Sequence, residues 1–216
     1  MTRKPGRPVD VELQSRRREQ ILEGAANCFA EAGYNEVDTQ RLADQLEISK
    51  GTLFRYFPTK RELFLATIER AMHQLRDTVD ATVCEVVDPL EQIRVAIRAY
   101  LQFFDDHPAV AELLMQERVM FKYRKSTYFE HKDQQQDDRW PPLLMALMDQ
   151  GRLRRMPVER IRNVISDLVY GTVFSNHMSG RQRSCDEQAH DLIDVVFLGI
   201  LSPEERTRHT SSPTDQ

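Results

Sequence analysis

Apolar residues recur at helical spacing along almost the whole chain. Ile21, Leu22, Ala25, Ala26 and Phe29 mark one face of a helix that the pattern carries from about Ser15 to a stop at Gly33. Leu42, Ala43 and Leu46 form a second, shorter face, with Asp38 placed to cap it. Ser49 is placed to cap a third helix, and only Glu47 and Ile48 separate it from the second; two short helices around so tight a turn predict a helix-turn-helix. Thr59-Lys60-Arg61-Glu62 is a capping box directly after Pro58, so a new helix begins there. Phe64, Ile68, Ala71, Met72, Leu75, Val79 and Val83 continue it as one long helix to a break at Asp88-Pro89. Further helical patterns cover residues 90–104, 109–123, 143–153, 158–178 and 187–201. The polar segment 125–139, with its QQQDD run, predicts a loop or a frayed helix end, and the tail 203–216 predicts disorder. No run alternates as a strand does, so the expected fold is all-α.

Composition narrows the class. The chain has 216 residues, 40% of them hydrophobic and 30% charged, with a formal charge of -4. That is enough apolar material for a core, and it argues against wholesale binding to polyanions. Charge is unevenly placed, however: Arg3, Lys4, Arg7, Arg16, Arg17 and Arg18 face only Asp10 and Glu12 before Glu19, which makes the amino end a basic patch. Cys28, Cys84 and Cys185 are odd in number and far apart, and predict reduced thiols rather than a disulfide framework or a zinc site. No apolar run approaches the roughly 18 residues of a membrane span. The expected location is cytoplasmic, with no membrane partner. No phosphate loop, nucleophile elbow or H-E-x-x-H pair occurs, and the six histidines show no ligand spacing, so neither catalysis nor a metal or cofactor is expected.

The third helix carries the candidate chemistry. At about 100° per residue, Leu53 and Phe57 turn inward while Lys50, Gly51, Thr52, Phe54, Arg55 and Tyr56 share the outer face. Basic, hydroxyl and aromatic side chains beside a glycine suit the major groove of double-stranded DNA. The stretch GYNEVDTQRLADQLEISKGTLFRYFPTKRELF, Gly33 to Phe64, resembles the DNA-binding region of the TetR family of bacterial transcriptional regulators.

This resemblance implies a homodimer whose small amino-terminal helix-turn-helix domain, residues 15–59, follows a flexible basic arm, residues 1–14. A long helix joins it to a larger helical ligand-binding and dimerisation domain, residues 60–202. It implies operator contact by Lys50, Gly51, Thr52, Phe54, Arg55 and Tyr56, with Lys60 gripping a phosphate, and Lys50, Thr52 and Arg55 as candidates for base edges. Three positions depart from the family pattern. Phe54 replaces the usual Tyr, Asp38 the usual Ser or Thr, and Glu47 the Gly expected in the turn, where a positive φ would be costly. In the arm, Gly6-Arg7-Pro8 is similar to the core of an AT-hook, so Arg7 is a candidate for the minor groove, with a plain phosphate-attracting arm as the alternative.

In the larger domain, Phe103, Phe104, Met115, Phe121, Trp140, Met145, Met148, Tyr170, Phe174 and Met178 are candidates to line a pocket for an apolar or aromatic effector, or else are core. Ile165, Leu168 and Thr172, with Leu192, Val196, Phe197 and Ile200, are candidates for a two-fold interface between the last two helices and their copies. Ser184 and Glu187 form a second capping box before the final helix. The functional expectation is a dimeric repressor released from its operator by a small molecule, with efflux or catabolic genes as its expected targets. A regulator answering to a protein partner, or an activator, is the nearer alternative; a helical enzyme is the remote one.

Overall fold

The computed structural model describes residues 11–127, 139–180 and 183–199. Arg7, Ile200, the tail 203–216 and most of the polar segment 125–139 lie outside these residues. Among the described residues the chain forms nine helices and no strand: α1 Val11–Ala32, α2 Thr39–Gln45, α3 Lys50–Tyr56, α4 Lys60–Val83, α5 Pro89–Asp106, α6 Pro108–Met120, α7 Trp140–Asp149, α8 Val158–Ser179 and α9 Cys185–Leu198. The architecture is all-α, as the periodicity predicts. α1 begins at Val11, so residues 11–14, read from sequence as part of the arm, form its first turn.

The punctuation works through the residues that the sequence singles out. Gly33 takes φ 83° and closes α1, its N–H donating to Phe29 O at 2.9 Å. Asp38 accepts from Gln40 N at 2.7 Å, Ser49 from Thr52 N at 3.0 Å, and Thr59 from Glu62 N at 3.1 Å. Each satisfies a backbone donor that a helix start leaves open. Asp88 caps α5 by accepting from Glu91 N, with Pro89 following. Ser184 caps α9 by accepting from Glu187 N at 3.2 Å.

The described residues fall into two compact units, one within Met1–Thr78 and Asp106–Asp138, the other within Val79–Asp105 and Arg139–Gln216. In the first, Ile21, Leu22, Ala25, Phe29, Leu42, Leu53, Phe64 and Ile68 are buried and tie α1 to α4 into one core. Leu46 packs so close to α1 that a Cβ on Gly24 would stand 2.5 Å from its Cδ2. α6 also belongs to this unit, lying against α1. In the second, Ile93, Ile97, Leu101, Phe103 and Phe104 of α5 are buried, as are Leu144 and Leu147 of α7, Val169 and Val173 of α8, and Ala189 and Ile193 of α9. No described helix is long and apolar enough to cross a membrane.

Candidate nucleic-acid interface

α3 has seven residues, and its inward side is fixed by Leu53 and Phe57, 1% and 4% exposed. Burial of those two decides which residues face out. Lys50, Gly51 and Arg55 are exposed, and Thr52, Phe54 and Tyr56 are half-buried at the edges. The cap holds Thr52 in place through its N–H and through a 2.9 Å contact of its hydroxyl with Ser49 Oγ. Lys50 Nζ stands 6.0 Å from the Phe54 ring and Arg55 Cζ 5.6 Å from the Tyr56 ring, so both cations lie along aromatic faces while keeping donors available. Arg18 of α1 crosses the end of α3, 5.1 Å from the Phe57 ring.

Glu47 occupies the turn between α2 and α3 at φ 53°, alone among the described non-glycine residues in having positive φ. This is the strain that the sequence raised as a condition on that position. Lys60, at the start of α4, donates to Asn35 O at 2.9 Å and stands 5.1 Å from the Tyr34 ring. Burial lowers its ammonium below the ordinary lysine value, with Glu36 and Asp38 pulling the other way. An ammonium has three donors, so one bond to a carbonyl leaves two for a phosphate.

Sequence periodicity gave no sign that the reading unit includes α6. Gln116 donates from Nε2 to Phe29 O and accepts at Oε1 from Tyr34 N, both at 2.9 Å, bracing the end of α1 and the turn after it. Phe121, at the end of α6, meets Tyr34 at 5.3 Å and Phe64 at 5.9 Å between ring centroids. Glu117 is 1% exposed; it accepts from Arg124, Ser126 and both the N–H and hydroxyl of Thr127, which folds residues 124–127 back onto α6.

The pocket candidates divide accordingly. Met115 and Phe121 are in the first unit, Phe121 within the aromatic cluster around Tyr34. Phe103, Phe104, Met148 and Phe174 are buried in the second unit, and Trp140 and Tyr170 are half-buried there. The Tyr170 and Phe174 rings meet at a tilt of 36° with centroids 4.2 Å apart. Met145 and Met178 are 50% and 71% exposed. A cleft of about 350 Å³ lies in the first unit, lined by Arg17, Gln20, Ile21 and the Gln45–Ile48 turn. Of the interface candidates, Leu168 is exposed and Ile165, Thr172, Leu192, Val196 and Phe197 are half-buried. Val164, Val195 and Leu198 extend the apolar surface beside them at 51%, 45% and 57% exposure. Asn176 of α8 donates to Gln188 of α9, a polar pin between the two helices.

Residues 21–67 match the family model described as bacterial regulatory proteins, tetR family. The nucleoid occlusion factor SlmA of Vibrio vulnificus is 31% identical over 110 residues, covering 50% of this chain and 56% of that protein. The chain thus spans little more than half the length of that curated relative. Among solved structures, PfmR of Thermus thermophilus, a TetR family transcriptional regulator, superimposes with TM-score 0.67 at 23% identity over 84% of this chain and 99% of that one. FadR of Bacillus subtilis, solved in complex with stearoyl-CoA, gives TM-score 0.66 at 17% identity over 85% and 99%. The capped helix-turn-helix, the match over residues 21–67 and the shared helical fold agree, and the likeness to the tetR family of bacterial regulatory proteins rests on that amino-terminal stretch.

Proposed function

We propose that this protein is a ligand-responsive transcriptional repressor that binds operator DNA as a dimer and lets go when an apolar small molecule occupies its second unit. The observation that carries this reading is α3: a short helix locked by Leu53 and Phe57, with Lys50, Gly51 and Arg55 exposed. Cations and a bare backbone on a fixed helix suit base edges and phosphates of a major groove. Exposed apolar side chains of α8 and α9 support the dimer, since an isologous interface buries the same patch twice. α4 has residues in both units, so an effector that favours one tilt of it would alter the spacing of the two recognition helices.

An acyl thioester is the first effector class to try, because FadR of Bacillus subtilis, of similar fold, was solved with stearoyl-CoA. The test is fluorescence anisotropy on DNA from beside the protein's own gene, against a scrambled duplex, across a salt series and with an acyl-CoA panel of graded chain length. The reading expects a preference for the native duplex that survives rising salt, lost in Arg55→Ala and lowered by one of the acyl-CoAs. Equal, salt-fragile binding to both duplexes would sink the repressor reading. A preference that no acyl-CoA lowers would sink the effector class alone. The resemblance to a nucleoid occlusion factor supports a second reading, a DNA-binding regulator that answers to a protein partner instead of a small molecule. Native-duplex preference that persists through a wide effector screen would support it.

A further inference from the structure

The segment from Arg118 to Lys125, RVMFKYRK, contains four basic residues and no acid. It ends α6 and forms the turn after it, within the same compact unit as α3. Lys122 and Lys125 are exposed, and Tyr123 is 94% exposed with Lys122 Nζ 4.9 Å from its ring. A phenol ring held entirely in solvent beside a lysine makes no contribution to the core.

The turn is nevertheless firmly held. Phe121 plugs into the Tyr34 and Phe64 rings on one side, and on the other Arg124 and Thr127 bind the buried Glu117. Glu117, the nearest acid in sequence, is therefore spent inside the fold and sits under the turn rather than on it. The same aromatic cluster carries the first turn of α4: Arg61 Cζ lies 5.2 Å from the Phe121 ring, and Lys60 Nζ lies 5.1 Å from the Tyr34 ring. Two adjoining rings thus hold Lys60 and Arg61, and the second of them, Phe121, directly precedes Lys122 in the chain. Acids do occur there, since Glu36 and Asp38 lie beside Lys60, but none lies within the turn itself.

We propose that this turn is a second nucleic-acid contact, in which Lys122, Tyr123 and Lys125 grip the sugar-phosphate backbone of the duplex beyond the segment read by α3. It rests on the reading of α3 as the DNA-recognition helix. The contact carries no sequence information; it adds affinity through phosphate neutralisation and counterion release. A rigid turn suits this work, because its side chains are presented without the entropy of ordering a loop.

The test compares wild type with Lys122→Ala/Tyr123→Ser/Lys125→Ala. All three side chains are exposed, and thermal melting confirms that the fold is kept. Native DNA is footprinted, then used as two duplexes, one trimmed to the protected core and one with its flanks. Wild type is expected to bind the flanked duplex roughly tenfold more tightly at low salt, with a log-log salt slope steeper by about 0.9 for each added phosphate. The triple variant is expected to lose that advantage and the extra slope. If wild type gains nothing from the flanks, or the variant keeps the whole gain, the inference is overturned. If wild type does not prefer native over scrambled duplex at all, the reading of α3 fails first, and this contact falls with it. A variant that keeps its DNA flank advantage but loses binding to an acidic polypeptide such as polyglutamate would assign the turn to a protein partner instead.

Discussion

Glu47 holds φ 53°, a conformation that costs an L side chain on the order of 1–2 kcal/mol and costs glycine almost nothing. Part of that gain is offset by the freer unfolded chain of a glycine variant. Glu47→Gly is therefore expected to stabilise the protein by about 0.5–1 kcal/mol, seen as a rise of roughly 1–4 °C in Tm. An unchanged or lower Tm would mean that the turn gains something from the glutamate side chain that no contact explains. Glu117 works the other way. It is buried and accepts from Arg124, Ser126 and Thr127, so Glu117→Ala removes their shared acceptor and leaves the buried Thr127 N–H unpaired. The expected loss is about 2–4 kcal/mol in urea denaturation, with Glu117→Gln between the two because its amide oxygen keeps one acceptor. The first effect was legible as a condition, since the family resemblance expects Gly where Glu47 stands and a positive φ there would be costly. The second was not, because nothing in the spacing of Glu117, Arg124 and Thr127 distinguishes a buried acceptor from a surface one.

Helix boundaries were legible wherever a capping side chain stands next to an apolar face. Asp38, Ser49, Thr59 and Ser184 all accept the bonds expected of them. The start of α1 was not, because residues 11–14 add a helical turn whose Leu13 is 61% exposed and marks no buried face. Nor was the allegiance of α6. Its hydrogen bonds reach back more than 80 residues, to Phe29 and Tyr34, and periodicity within one helix cannot say which neighbour it meets. For that reason Phe121 was grouped with residues of the larger domain, although its ring faces Tyr34. At the junction between α4 and α5, Asp88 caps α5 and also accepts from Arg152 at 2.6 Å. The bond from Arg152 holds its carboxyl below the ordinary value of 3.8, with the backbone N–H groups of the cap assisting. A depressed carboxylate lends stability that is complete above its unfolded value and is lost as pH falls through the lower folded value. Arg152→Ala is expected to bring the Asp88 titration, followed by carboxyl carbon shifts in NMR, back up towards 3.8. A curve that does not move would show that the cap alone sets it.

At the scale of the whole molecule, α8 and α9 carry an apolar surface that stands exposed among the described residues. Val164 and Leu168 of α8 and Val195 and Leu198 of α9 are 51%, 37%, 45% and 57% exposed. The sequence marked these two helices through their wide apolar stripes. It could not divide each stripe into an inward and an outward part, because Val169 and Ile193 belong to the same runs and are buried. A surface of this kind is costly unless it is covered, and in the proposed dimer a copy of the same two helices would cover it by symmetry. Leu168→Glu places a charge near the centre of that interface, where two copies would bring like charges together without compensation. In the monomer the same residue remains solvated, so folding should be little affected. Sedimentation velocity is expected to show a dimer for wild type and a monomer for the variant. Operator affinity is expected to fall by at least roughly a hundredfold, because each half-site contact must then form alone and loses the gain from linkage. If wild type itself sediments as a monomer, α8 and α9 serve another partner. If the variant stays dimeric with unchanged operator affinity, the dimer forms through a different surface.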